Sequence, residues 1–182
     1  MPTKFPYAPK TGHCITIGQT ESGKTLLNKA LAQNYRKHGI KVIVLDPMMD
    51  PDWNADQTFD NPERFLAYVK NPDKCLQSAI FIDEAGTTVG RHIAAFEWLT
   101  TQSRHHGHVC HLMTQRAEMV NKTMRSQCST LFAFNVCIDD AKNYAKDFNC
   151  KEVLKAESLP QGHFIQVTRF QPPKYGKMFD AK

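Results

Sequence analysis

The apolar positions of this chain gather in short dense runs, separated by stretches of helical period. His13-Cys14-Ile15-Thr16-Ile17 is the first run and Lys41-Val42-Ile43-Val44-Leu45 the second. Ser78 to Glu84 reads as a third strand, Val109 to Thr114 as a fourth and Thr130 to Asn135 as a fifth. Residues apolar at consecutive rather than alternate positions predict strands covered on both faces, as in a parallel sheet. Between the first two runs, Leu26, Leu27, Ala30, Leu31 and Tyr35 recur at helical spacing. They predict a helix from Leu26 to His38 that Gly39 ends. Shorter helices are predicted over Pro62 to Lys70, about Ile93 to Ser103, and Asp140 to Asn149. Met48 to Asp60 holds four Asp and reads as a polar loop anchored by Trp53 and Phe59. Gly162 to Phe170 alternates well enough for an added edge strand, which Pro172-Pro173 ends.

Strands alternating with helices predict an α/β fold with a mainly parallel central sheet and helices on both faces. The expected organisation is an irregular arm over residues 1–11, one domain over 12–170 and a tail over 171–182. At 182 residues the chain can bury a substantial core. No apolar run approaches the roughly 18–20 residues of a membrane span. Met1 to Lys10 is rich in Pro and Lys, without the apolar segment of a secretion signal, so a cytosol-like compartment is expected. The six cysteines are irregularly spaced and imply no disulfide framework. Cys14, Cys110 and Cys137 are expected inside core strands as small hydrophobes. A net charge of +5 permits a polyanionic partner without demanding one.

Chemistry concentrates where the first strand meets the first helix. Gly18-Gln19-Thr20-Glu21-Ser22-Gly23-Lys24-Thr25 is a complete G-x-x-x-x-G-K-[ST] match in a strand–loop–helix context. Such a loop turns successive backbone N–H groups onto a β-phosphate, and the helix N-terminus adds partial positive charge. Gly18 and Gly23 allow an approach that a Cβ would block. Lys24 reaches the β- and γ-phosphates, and Thr25 offers its hydroxyl to Mg²⁺. The expectation becomes a three-layer P-loop NTPase using ATP with Mg²⁺.

The third run ends in Asp83-Glu84, the Walker B pattern. Asp83 is placed to hold Mg²⁺ and Glu84 to take a proton from, or orient, the attacking water. Ligands of open α/β sheets sit at the carboxyl ends of strands, where this pair falls. Gln115, at the end of the fourth strand, can hydrogen-bond the γ-phosphate or the water. An arginine often stabilises the phosphoryl transition state from a neighbouring subunit. Arg104 is the first candidate and Arg125 the alternative, with Arg91 and Arg116 also available. His105, His106, His108, Cys110 and His111 crowd together but lack a paired zinc-ligand framework, so a packed polar rim is expected there. The phosphates of a polyanionic partner such as a nucleic acid would fall to Arg116 to Arg125 and to Lys142, Lys146, Lys151 and Lys155.

Gly18–Thr25, Ile80–Glu84, and the block Arg104-His105-His106-Gly107 … Met113-Thr114-Gln115-Arg116 … Met124-Arg125 together resemble the FtsK–HerA superfamily of P-loop ATPases. The likeness spans roughly residues 12–136. Within that group the chain is similar to the genome-packaging ATPases of membrane-containing, tectivirus-like viruses. It is also similar to the filamentous-phage assembly ATPases of the zonula occludens toxin family, which usually continue into a transmembrane segment. The resemblance implies a homo-oligomeric ring, hexameric or pentameric, that hydrolyses ATP and drives double-stranded DNA through its channel. It implies Glu84 as catalytic carboxylate, Gln115 as sensor and an arginine near Arg104 as the trans-acting finger. A capsid vertex or portal protein would be the partner, and the host cytoplasm or the virion the location. A small P-loop kinase and a nucleotide-gated scaffold are the competing readings; Asp83-Glu84 with Gln115 favours hydrolysis.

Overall fold

The computed structural model describes residues 12–83 and 93–179. Eight strands form one sheet: β1 (His13–Ile17), β2 (Lys41–Leu45), β3 (Gln57–Phe59), β4 (Ser78–Ile82), β5 (Val109–Thr114), β6 (Cys128–Ala133), β7 (His163–Thr168) and β8 (Lys174–Lys177). Their spatial order is β3-β2-β4-β5-β1-β6-β7-β8. The six strands from β3 to β6 are mutually parallel, whereas β7 and β8 join antiparallel. The helices are α1 (Lys24–Lys37), α2 (Pro62–Val69), α3 (Ile93–Thr101), α4 (Lys122–Gln127) and α5 (Ile138–Asp147).

Each central strand divides its side chains between two cores because successive Cβ atoms point to opposite faces. On one face Cys14, Val42, Val44, Ala79, Phe81 and Phe132 meet Leu27, Leu31 and Tyr35 of α1. On the other, Ile15, Ile17, Ile43, Ile80, Ile82 and Leu112 meet α2 through Phe65 and Val69, α3 through Phe96 and Leu99, and α5 through Tyr144. This is the three-layer α/β arrangement that the uninterrupted apolar runs predict.

Several boundaries differ from the sequence reading, each for a packing reason. β6, the fifth strand expected from the sequence, begins and ends two residues earlier than expected, at Cys128–Ala133. Phe134 and Asn135 leave the sheet to brace the loop after β1: Phe134 N donates to Ile17 O at 2.9 Å and Gln19 N to Asn135 O at 2.8 Å. β3 forms inside the stretch read as a loop, pairing Gln57, Thr58 and Phe59 with Ile43, Val44 and Leu45. Trp53 anchors that stretch, as expected, and is fully buried. Pro172-Pro173 does not release the chain into a tail. The chain turns back as β8, so the expected edge strand, β7, is an inner one. Cys137 is exposed just before α5 and not in a core strand.

His108 and His111 are packing groups. His108 accepts from Ser78 N through Nδ1 at 3.2 Å, and its Nε2 faces Val69 O at 3.2 Å. His111 stacks on Phe81 at a centroid distance of 4.4 Å and meets Tyr35 Oη at 3.1 Å. Among the described residues no group of His, Cys, Asp and Glu is arranged to hold a metal ion.

Candidate functional site

Parallel strands put their carboxyl ends on one edge of the sheet, and the registers align three predicted site segments there. Ile17 pairs with Thr114, so Gly18 leaves β1 beside Gln115. Ile82 pairs with Leu112, so Asp83 leaves β4 at the same edge. β5 lies between β1 and β4, which separates the phosphate loop from the acidic strand by one strand and sets Gln115 between them. The contact is direct: Thr20 Oγ1 donates to Gln115 Oε1 at 3.3 Å.

The loop is held from below and from one side. Gly23 caps α1 with φ 108°, a conformation that L side chains rarely adopt, and lets the chain turn straight from loop to helix. Ser22 N donates to Gln19 O at 3.3 Å, closing the arch. Gln161 Nε2 donates to Glu21 O at 3.0 Å and Gly162 N to Ser22 O at 3.2 Å, so the turn before β7 props the loop. Asn28 ties the helix to the strand beneath it, donating to Thr16 Oγ1 at 3.1 Å and Lys24 O at 2.9 Å. Asn28 went unremarked in the sequence, yet a polar residue beside Leu27 on the buried face of α1 was its signal.

Two features suit an anion. Ser22 Oγ is buried and meets no hydrogen-bond partner among the described residues, which leaves a donor inside the arch. Lys24 is 7% exposed, and its Nζ donates to Gln19 O at 2.8 Å, so the ammonium is stowed across the loop. Thr25 follows on the first turn of α1. Thr25 and the half-buried Asp83 present oxygen donors, the set that a hard divalent cation takes. A cavity of about 600 Å³ opens beside the loop, on its Gln115 side, lined among others by Gln19, Thr20, Gln115, Arg116, Glu118 and Asp140.

Not every candidate converges on this edge. Glu84 and Arg91 lie outside the described residues. Arg104 is exposed in the 3₁₀ turn Ser103–His106 that enters β5, at the opposite edge of the sheet. Its charge, added to burial, helps lower the pKa of His13, the first residue of β1, to about 4. Arg104 is therefore a strand's length from its own loop. Arg125 is committed internally. Its Nε pairs with Asp147 at 2.7 Å, and an Nη donates to Ala117 O and Val120 O, both at 2.7 Å.

The mainly parallel three-layer sheet, with the Gly18–Thr25 loop after β1, Asp83 after β4 and Gln115 after the intervening β5, has the RecA/FtsK-like P-loop NTPase fold. No protein-family model and no curated protein sequence matches the chain. Among solved structures it is similar to the genome packaging NTPase B204 from Sulfolobus turreted icosahedral virus 2, in complex with AMPPCP. The TM-score is 0.77 at 19% identity, covering 94% of this chain and 100% of that one. It is also similar to the pCW3 conjugation coupling protein TcpA with ATPγS (TM-score 0.73, 15% identity, 92% of this chain and 60% of that one). VirB4 of Thermoanaerobacter pseudethanolicus is similar as well (TM-score 0.68, 10% identity, 93% and 90%). At these identities the likeness is one of fold, and the fold is that of P-loop ATPases of the kind the motifs resemble.

Proposed function

We propose that the chain is an ATP-hydrolysing motor that moves double-stranded DNA, acting as a viral genome-packaging ATPase. The observation that carries this reading is the alignment of Gly18, Asp83 and Gln115 on one edge, with Thr20 bonded to Gln115. The packaging role draws on the end-to-end match with B204, whereas the coupling protein matches over only 60% of its length.

In this reading Lys24 leaves the Gln19 carbonyl and takes up a γ-phosphate oxygen when ATP enters. Ser22 and the loop amides hold the β-phosphate. Thr25 and Asp83 would hold Mg²⁺, which neutralises phosphate charge when bound with ATP. Glu84, next after Asp83, accepts the proton of the attacking water, and Gln115 orients that water. Arg104 serves a neighbouring subunit, which makes an oligomeric ring, hexameric or pentameric, a requirement for full activity. Exposed Lys142, Lys146, Lys151 and Lys155 supply phosphate contacts to DNA. A capsid vertex or portal is the partner, and the host cytoplasm or the virion the place. No helix among the described residues is long and apolar enough to cross a membrane.

The test is phosphate release with and without duplex DNA, together with solution mass as ATP, Mg²⁺ and DNA are added stepwise. DNA-stimulated release and a rise in mass are expected. Glu84→Gln should bind ATP as the wild type does and lose hydrolysis by about 10²-fold or more, within the range assigned to general-base catalysis. Unchanged turnover in that variant would remove Glu84 from its assigned role.

A further inference from the structure

We infer that Met178 and Phe179, which follow β8, form the base-side wall of the nucleotide site, with the Phe179 ring as the platform for the nucleobase. The inference rests on the reading of Gly18–Thr25 as a nucleotide site.

The topology gives a bound nucleotide its direction. Gln115 and Asp83 leave β5 and β4, on one side of β1. These are the groups for the γ-phosphate and its cation, so the terminal phosphate faces that side. The nucleoside end must then leave the loop over the other side of β1, where β6, β7 and β8 lie. The last described residues arrive there.

The approach of Phe179 is fixed by the backbone. β8 runs antiparallel to β7 until Lys177 pairs with His163, and Met178 N then donates to Gly162 O at 2.8 Å. Gly162 has φ 79°, and a Cβ on it would lie 2.6 Å from Phe179 O and 2.9 Å from the ring. A side chain at position 162 would therefore evict the phenyl group. With glycine there, the ring comes down to 3.3 Å from where a Cβ on Gly23 would stand. Phe179 thus abuts the last glycine of the phosphate loop and stays half-buried. Three residues beyond Gly23, on the first turn of α1, Leu26 is 48% exposed. An apolar side chain left open beside a phosphate loop suits the flat, apolar face of a purine. Aromatic stacking on a base tolerates different bases, because every base has a π-face.

The experiment separates base from phosphates by comparing ATP with inorganic tripolyphosphate. Binding of each is measured by calorimetry on the full chain, wild type and Phe179→Ala. The expected result is a loss of about tenfold or more in ATP affinity with tripolyphosphate affinity unchanged. Phe179→Trp should retain ATP affinity and show fluorescence quenching by ATP but not by tripolyphosphate, over the background of Trp53 and Trp98. Equal losses for both ligands, or no loss for ATP, would overturn the inference. A wild-type chain that binds neither ligand would overturn the phosphate-loop reading itself, and this inference with it.

Discussion

Arg125 separates two physical readings of the same residue, a finger that reaches a neighbour's phosphate or a strut within its own fold. The structure makes it a strut. Its side chain is 13% exposed and that of Asp147 12%, with 2.7 Å between Nε and Oδ2. The guanidinium also bonds the carbonyls of Ala117 and Val120, and lies 5.7 Å from the centroid of the Tyr144 ring. It thereby fastens the turn after β5 and the start of α4 to the far end of α5. Arg125→Ala leaves Asp147 buried without its cation and two carbonyls without their donor. Removing one partner of a buried pair costs about 3–5 kcal/mol. That is a large share of the roughly 5–15 kcal/mol that holds a domain of this size, and it corresponds to a fall in Tm on the order of 10 °C. The assay is urea denaturation of wild type and variant, beside ATP hydrolysis measured well below the lower Tm. The midpoint should fall sharply, and the hydrolysis rate per folded molecule should hold. The double variant Arg125→Met with Asp147→Leu should recover much of the stability, because an apolar pair removes the stranded charge. A variant with the wild-type urea midpoint and no hydrolysis would refute this account and return Arg125 to the phosphate.

The remaining predictions concern acid stability and the sensor contact. Burial lowers the pKa of His111 to about 3, and burial reinforced by the Arg104 charge lowers that of His13 to about 4. Both imidazoles stay neutral when folded and take up a proton on unfolding, so their contribution is intact above an ordinary histidine pKa near 6.5 and is lost as pH falls below it. From pH 6.5 to 5 the loss should be about 1.5 kcal/mol per histidine, read as a falling urea midpoint; a flat profile across that window counts against the buried assignment. Thr20→Val removes the 3.3 Å bond to Gln115 at an exposed position. It should leave stability unchanged and slow hydrolysis by about tenfold or less, the worth of one such bond. No change in rate would mean that the contact is incidental to turnover.

Much of this protein is written locally. The bounds of β1, β2 and β5 follow from the apolar runs alone, because a strand covered on both faces tolerates few polar residues. The loop from Gly18 to Thr25 was legible for a similar reason: its residue types and spacing meet backbone demands within eight consecutive positions. What was not legible depends on partners far along the chain. Gln57-Thr58-Phe59 has too little apolar signal to announce a strand, and becomes one through its register with β2. Lys174–Lys177 is a strand because β7 offers an open edge, a fact absent from its own residues. Cys137 was expected inside a core strand, and it is exposed because β6 ends at Ala133 and the chain leaves the sheet to brace the loop.

The roles of the arginines divide along the same line. By itself the sequence determined that a strand, a phosphate loop and a helix occur in that order, and that an acidic pair closes another buried strand. Only the tertiary structure decided that β5 lies between those strands, that Thr20 touches Gln115, that Arg125 is spent on Asp147, and that Phe179 lies against Gly23. The reason is physical: local patterns fix which face of an element is buried, whereas strand order and contacts between distant residues are chosen by packing the whole sheet at once.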